Sequence, residues 1–103
     1  MARGTHTRII TVALFPLAVD PGSSEQLFAV PGVKLGDFIG VNKPSTQAGL
    51  GLGGARASAN GQIGVSFTND TPSSITPTPG EVYTVLAVGS SNRCDEDFDG
   101  KDV

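Results

Sequence analysis

The sequence has no tryptophan, one cysteine, one methionine, one histidine and one tyrosine, and aromatic residues make up only 6% of it. Each shortage closes off some chemistry. A lone cysteine, Cys94, can form no disulfide within the chain, which fits a reducing compartment where small folds are held by packing or oligomerisation. It also stands beside Asp95 and Glu96, whose negative charge disfavours a thiolate. The lone histidine, His6, lies in a polar segment of Ala, Arg, Gly and Thr. Nothing downstream pairs with it as a base-and-nucleophile set requires, so it reads as a solvated residue. No catalytic residue and no cofactor are expected, and the chain reads as a non-enzyme.

Positive charge is equally scarce. Through residue 92, Arg3, Arg8, Lys34, Lys43 and Arg56 are balanced by Asp20, Glu25, Asp37, Asp70 and Glu81. Beyond it, Arg93 and Lys101 face Asp95, Glu96, Asp97, Asp99 and Asp102, and the whole formal charge of −3 arises there. A neutral body without a basic cluster lacks the footprint that a polyanion demands, so no nucleic-acid contact is expected. Long apolar runs are missing too. The best, residues 9–19, is interrupted by Pro16 and falls short of the roughly 20 residues that span a bilayer, so no membrane partner is expected. Preceded by Arg3 and Arg8, that run imitates a signal peptide, but no small-x-small cleavage site follows it cleanly.

Leu, Lys and Glu are sparse, whereas 14 glycines and 7 prolines make up a fifth of the 103 residues. These are the two poorest residues in a helix interior. Short extended runs remain, each bounded by turn residues: 8–15, 26–30, 34–41, 50–58, 62–68 and 81–88. Residues 62–68 alternate most cleanly, with Ile63, Val65 and Phe67 on one face. Ala59-Asn60-Gly61-Gln62 predicts a hairpin centred on Asn60 and Gly61, with the two positive φ values of a type I′ turn. In 34–41 the apolar spacing of Leu35, Ile39 and Val41 is broken by Asp37 on the same face. Gly51, Gly53 and Gly54 suit a bulge, a tight barrel corner or a subunit contact. The run 81–88 is apolar on both faces, as a strand in the middle of a structure would be. Residues 69–80, with Pro72, Pro77 and Pro79, read as an ordered loop.

The expected fold is all-β, a small antiparallel sandwich or barrel. It is divided into an N-terminal arm (1–7), a single β-domain (8–88) and a polar, acidic C-terminal tail (89–103). A core this small is thin, and burying the two-sided strand 81–88 between subunits predicts a homotrimer.

Two motifs suggest ligands weakly. Gly49–Gly54 contains a Gly-x-Gly pattern, but hairpin chemistry follows it where a nucleotide site needs a helix. Asp95, Asp97, Asp99 and Gly100 match the opening of an EF-hand calcium loop, yet only nine positions, ending at Val103, are present of the twelve that the loop uses. The half-loop is a weak metal candidate, and a solvated acidic tail is the preferred reading.

Along residues 30–88 one pattern is familiar: Val-Pro-Gly-Val from Val30, Gly36-Asp37, Gly-Leu-Gly-Leu from Gly49, Ala-Arg-Ala-Ser-Ala-Asn-Gly-Gln-Ile-Gly-Val from Ala55, Phe67-Thr68-Asn69 and Thr-Pro-Gly-Glu-Val-Tyr-Thr-Val from Thr78. The succession resembles small β-domains of tailed-phage structural proteins, known as capsid decoration (cement) proteins and as parts of head or tail fibres, often trimeric. The resemblance implies a virion protein assembled in the host cytoplasm, most specifically a capsid decoration protein bound to the major capsid protein on the outer shell. A head- or tail-fibre or receptor-binding module is the alternative. Asp95, Glu96, Asp97, Asp99 and Asp102 are then the candidate attachment residues.

Overall fold

Six strands and no helix occupy the described part of the chain, residues 5–90 of a computed structural model. They are β1 (Thr5–Leu14), β2 (Gly22–Ala29), β3 (Phe38–Asn42), β4 (Leu50–Ala59), β5 (Gln62–Asn69) and β6 (Glu81–Ser90). Two antiparallel sheets result, with strand orders β1-β6-β3 and β2-β5-β4. Only β4 and β5 are joined as a hairpin; every other connection passes from one sheet to the other. The all-β expectation holds. The end strands run further than expected, since Thr5, His6 and Thr7 pair with Ser90, Gly89 and Val88 as parts of β1 and β6.

The two sheets meet through the side chains that alternation sends inward. From the first sheet come Ile10, Val12, Ile39, Val41, Val85 and Ala87; from the second, Phe28, Leu50, Leu52, Ala55, Ala57, Ile63, Val65 and Phe67. Val19, Val30 and Val33 close the core from the connections. Phe67 is fully buried and meets Phe28 edge to face, with centroids 6.5 Å apart and planes at 81°. Truncating such a ring to alanine costs about 3–5 kcal/mol.

The Asn60-Gly61 hairpin forms where expected, but its turn is not type I′. Only Gly61 has positive φ, +74°, and no non-glycine residue does. The register shifts between Ala57 and Ala59, so one extra residue in β4 absorbs the geometry that a second positive φ would supply. The tip is held by the β2–β3 connection. Gly61 N–H donates to Val33 O at 2.7 Å and Val30 N–H to Gly61 O at 2.8 Å. Leu35 N–H donates to Asn60 Oδ1 at 2.9 Å. That clamp also explains why β3 starts at Phe38 and not at Lys34: residues 34–37 form a turn, closed by Asp37 N–H to Lys34 O at 3.0 Å, and Leu35 is left exposed.

Of the three readings of the glycine-rich arm, the bulge is the one seen. The β4–β5 register shifts between Leu52 and Gly54, where Gly54 adopts φ +149°. Leu50 and Leu52 point into the chain's own core.

Candidate functional site

Three ionic contacts organise the described surface. Asp37, with a fully buried side chain, accepts from Arg8 Nη2 at 2.5 Å and from Lys34 N–H at 2.9 Å, tying β1 to the turn before β3. The polar interruption in the 34–41 pattern is therefore a buried partner for Arg8. On the second sheet, Glu25 takes a two-pronged bond from Arg56, 2.7 Å from Nε and 2.9 Å from Nη2. Their contact crosses the face above Gly64, where a Cβ would collide with the Glu25 carboxylate. The hydrogen bond from Arg56 lowers the Glu25 pKa, and Glu25 in turn raises that of Arg56. At the start of β6, Glu81 accepts from the Ser45 hydroxyl and pairs with Lys43 at 2.9 Å; Ser45 first and Lys43 second lower its pKa.

The concave features are shallow. A groove of about 240 Å³ at the seam between β3 and β4 is lined by residues including Val41, Lys43, Gln47, Leu50 and Leu52. It meets a second of about 210 Å³ that shares Val41 and Leu52. Small-molecule sites run from about 300 Å³ upward and present convergent polar groups. Here the polar groups serve the fold: Lys43 binds Glu81 and the Ser45 carbonyl, and Gln47 spans to Thr76 O and Thr78 N–H.

The sequence candidates are not brought together. His6 is an exposed residue of β1. Gly49–Gly54 runs into strand β4, with the hairpin and no helix after it. Asn60 and Gly61 have the structural role already described. Cys94 and the acidic set Asp95, Glu96, Asp97, Asp99 and Asp102 lie outside the described residues. Among the described residues, no group of three or more His, Cys, Asp or Glu side chains is placed to hold a metal.

What sequence reasoning only half found is a surface. The register of β1, β6 and β3 places Thr7, Ile9, Thr11 and Ala13 beside Val88, Leu86, Thr84 and Val82, and these beside Phe38, Gly40 and Asn42, all on the outer side of the first sheet. None of these eleven residues is charged. Ile9 is 71% exposed, Phe38 66% and Val82 54%. The corresponding face of the second sheet carries Ser23, Glu25, Arg56, Gln62, Ser66 and Thr68, with an ion pair across it, beside the apolar Leu27 and Ala29. The two-sided apolar composition of 81–88 was the signal; the contributions of β1 and β3 emerge only once β6 is known to be central.

No protein-family model, curated protein or solved structure matches the chain.

Proposed function

We propose that this chain is a non-enzymatic structural protein that acts by being built into a larger assembly, the virion of a tailed phage, where it decorates the outer capsid surface and stabilises the shell. The observation that carries the reading is the uncharged, partly apolar outer face of β1-β6-β3, on a domain whose grooves at the β3–β4 seam have Lys43 and Gln47 bonded within the fold. Exposed apolar side chains gathered on one sheet face, here Ile9, Phe38 and Val82, are a feature of interaction surfaces. The specific assembly rests on the resemblance of residues 30–88 to small virion β-domains.

In this reading the partners are further copies of the chain and the major capsid protein, and the acidic residues 95–102 contribute attachment through contacts that salt would screen. Quantitative mass spectrometry of purified particles tests the role. Hundreds of copies per particle identify a decoration protein, a few tens or fewer a fibre or tail module, and absence from the particle overturns the proposal.

A further inference from the structure

We infer that Asn60 is a site of spontaneous deamidation, with water as the co-reactant, and that the clamp placed on the hairpin tip by residues 33–35 sets its rate. The inference stands on the tip alone and is independent of the virion reading.

The first observation is chemical. Of the asparagines Asn42, Asn60, Asn69 and Asn92, only Asn60 precedes a glycine. Glycine has no side chain to shield its nitrogen and leaves the backbone free to bend toward the preceding amide. Asn60 is exposed at the tip, and a Cβ built at Gly61 would meet nothing within 4 Å. A five-membered ring and a water molecule therefore have room. In the reaction Gly61 N gives up its proton to solvent and attacks Asn60 Cγ. The N–Cγ bond forms, the Cγ–Nδ2 bond breaks, and Nδ2 takes a proton from solvent and leaves as ammonia. Water then opens the cyclic imide: cleavage at Cγ gives aspartate, and cleavage at the backbone carbonyl carbon gives isoaspartate. One water is consumed and one ammonia released, with nothing oxidised or reduced. Either product puts a negative charge where the neutral amide stood.

The second observation is that both reacting groups are engaged in the folded tip. Gly61 N–H donates to Val33 O at 2.7 Å, so the proton that must leave is bound and the nitrogen is fixed. Asn60 Oδ1 accepts from Leu35 N–H at 2.9 Å, which fixes Cγ as well. A donor on Oδ1 would also stabilise the oxyanion that attack creates. Ring closure nevertheless needs Gly61 N first, and bonded amide groups reach solvent only through local opening. Restraint therefore decides, and the opening that exchanges the Gly61 proton is the one that admits the reaction.

The third observation is how the clamp is built. Leu35 follows Lys34 in the turn closed by Asp37 N–H to Lys34 O at 3.0 Å, and Gly36 comes next with φ +96°. Positive φ at the third position alone defines a type II turn, whose second position favours proline. Leu35→Pro thus removes the N–H that holds Asn60 while suiting the turn that carries it.

Mass spectrometry of the purified full chain, incubated in mildly alkaline buffer and digested at intervals, tests this by the mass gain on the peptide carrying Asn60. Wild type in urea should deamidate roughly thirtyfold faster than folded wild type, the factor for losing two bonds of about 1 kcal/mol each. Folded Leu35→Pro, with unchanged circular dichroism, should react roughly fivefold faster than folded wild type, the factor for one such bond. Hydrogen exchange of Gly61 N–H should accelerate in that variant by the same factor. Folded wild type that reacts as fast as the chain in urea overturns the inference, and so does the absence of reaction at Asn60 in both states. A folded Leu35→Pro that reacts no faster than wild type overturns control by the clamp. If the variant does not fold, wild type alone decides: slowing by folding must match the protection of Gly61 N–H against exchange, and a mismatch overturns the inference.

Discussion

Leu35 N–H donates to the side-chain oxygen of Asn60 across 25 residues of sequence, so the hairpin tip is both a turn and the anchor of the β2–β3 connection. Gly61 completes the anchor with one backbone bond to Val33 and one from Val30. Replacing Gly61 with Val puts a β-branched residue at φ +74°, a region that such residues resist. The expected cost is about 1–2 kcal/mol at that residue, a fall of very roughly 5–15 °C in a domain of this size. Asn60→Ala should cost about 1 kcal/mol through the lost bond to Leu35. Thermal unfolding followed by circular dichroism checks both, and an unchanged Tm in Gly61→Val would refute the turn assignment.

Asn69 does for the other end of the core what Asn60 does for the hairpin tip. It is 3% exposed; its amide nitrogen donates to Val19 O at 2.8 Å and Ser73 O at 2.7 Å. Its oxygen accepts from the Thr71 N–H and hydroxyl. One side chain thereby folds the start of the 70–80 loop and fixes it to the Val19–Ile75 bridge. Asn69→Ala leaves several buried groups short of a partner, at about 1–3 kcal/mol for each left unsatisfied. Urea titration should show a lower midpoint; one matching wild type would mean that the loop is held by something else.

How much of this was legible in the sequence depends on the range of each interaction. The alternation of Ile63, Val65 and Phe67 and the turn at Asn60-Gly61 are local patterns, and both elements lie where they were read. The turn type was not legible, because Ser58 and its neighbours absorb the twist through a register shift that no dipeptide signals. Asp37 looked like an error in a strand until Arg8, 29 residues away, supplied its partner. Strand order was the least accessible part, since four of the five connections cross between sheets. For that reason the uncharged outer face, built from three strands distant in sequence, was visible only in its β6 component.

Asp37 and Arg8 form an ion pair whose acidic member has a fully buried side chain, with side-chain exposures of 0% and 32%. Removing one member of a buried pair usually costs 3–5 kcal/mol; the partial exposure of Arg8 reduces the expected loss for Asp37→Ala to about 2–3 kcal/mol. The Lys34 N–H loses its acceptor as well. In a double-mutant cycle, adding Arg8→Met should recover part of the loss, because the unpaired charge is then gone. Strict additivity of the two substitutions would show that the pair is not coupled.

Acid and alkaline unfolding should have separate origins. Glu81 has its pKa lowered from 4.5, first by the Ser45 hydrogen bond and then by Lys43. A group depressed in the folded state stabilises it above the unfolded pKa, and that contribution disappears as the pH falls through the folded value. Tm should therefore be level near neutrality and fall as the pH drops below about 4.5. Glu25, lowered by Arg56, adds to the same limb. Glu81→Gln should flatten the fall without abolishing it, and an acid limb identical to wild type would rule Glu81 out.

The alkaline limb belongs to Tyr83, whose pKa is raised from 10.0, first by burial and then by the nearby negative charge of Glu81. A raised pKa stabilises the fold fully below the unfolded value, and the contribution is lost as the pH rises from 10 through the higher folded value. Tyr83 is also fully buried, with no hydrogen-bond partner for its hydroxyl among the described residues. Desolvating such a hydroxyl costs about 1–3 kcal/mol, and an apolar group of the same shape avoids that cost. Tyr83→Phe is therefore expected to raise stability at pH 7 by about 1 kcal/mol and to remove the Tyr83 contribution to unfolding above pH 10. Chemical denaturation at neutral pH, together with a Tm series toward high pH, checks both effects on one variant. A destabilised Tyr83→Phe would mean that the hydroxyl has a partner in the folded protein. A variant whose alkaline limb matched wild type would mean that the limb arises at another group.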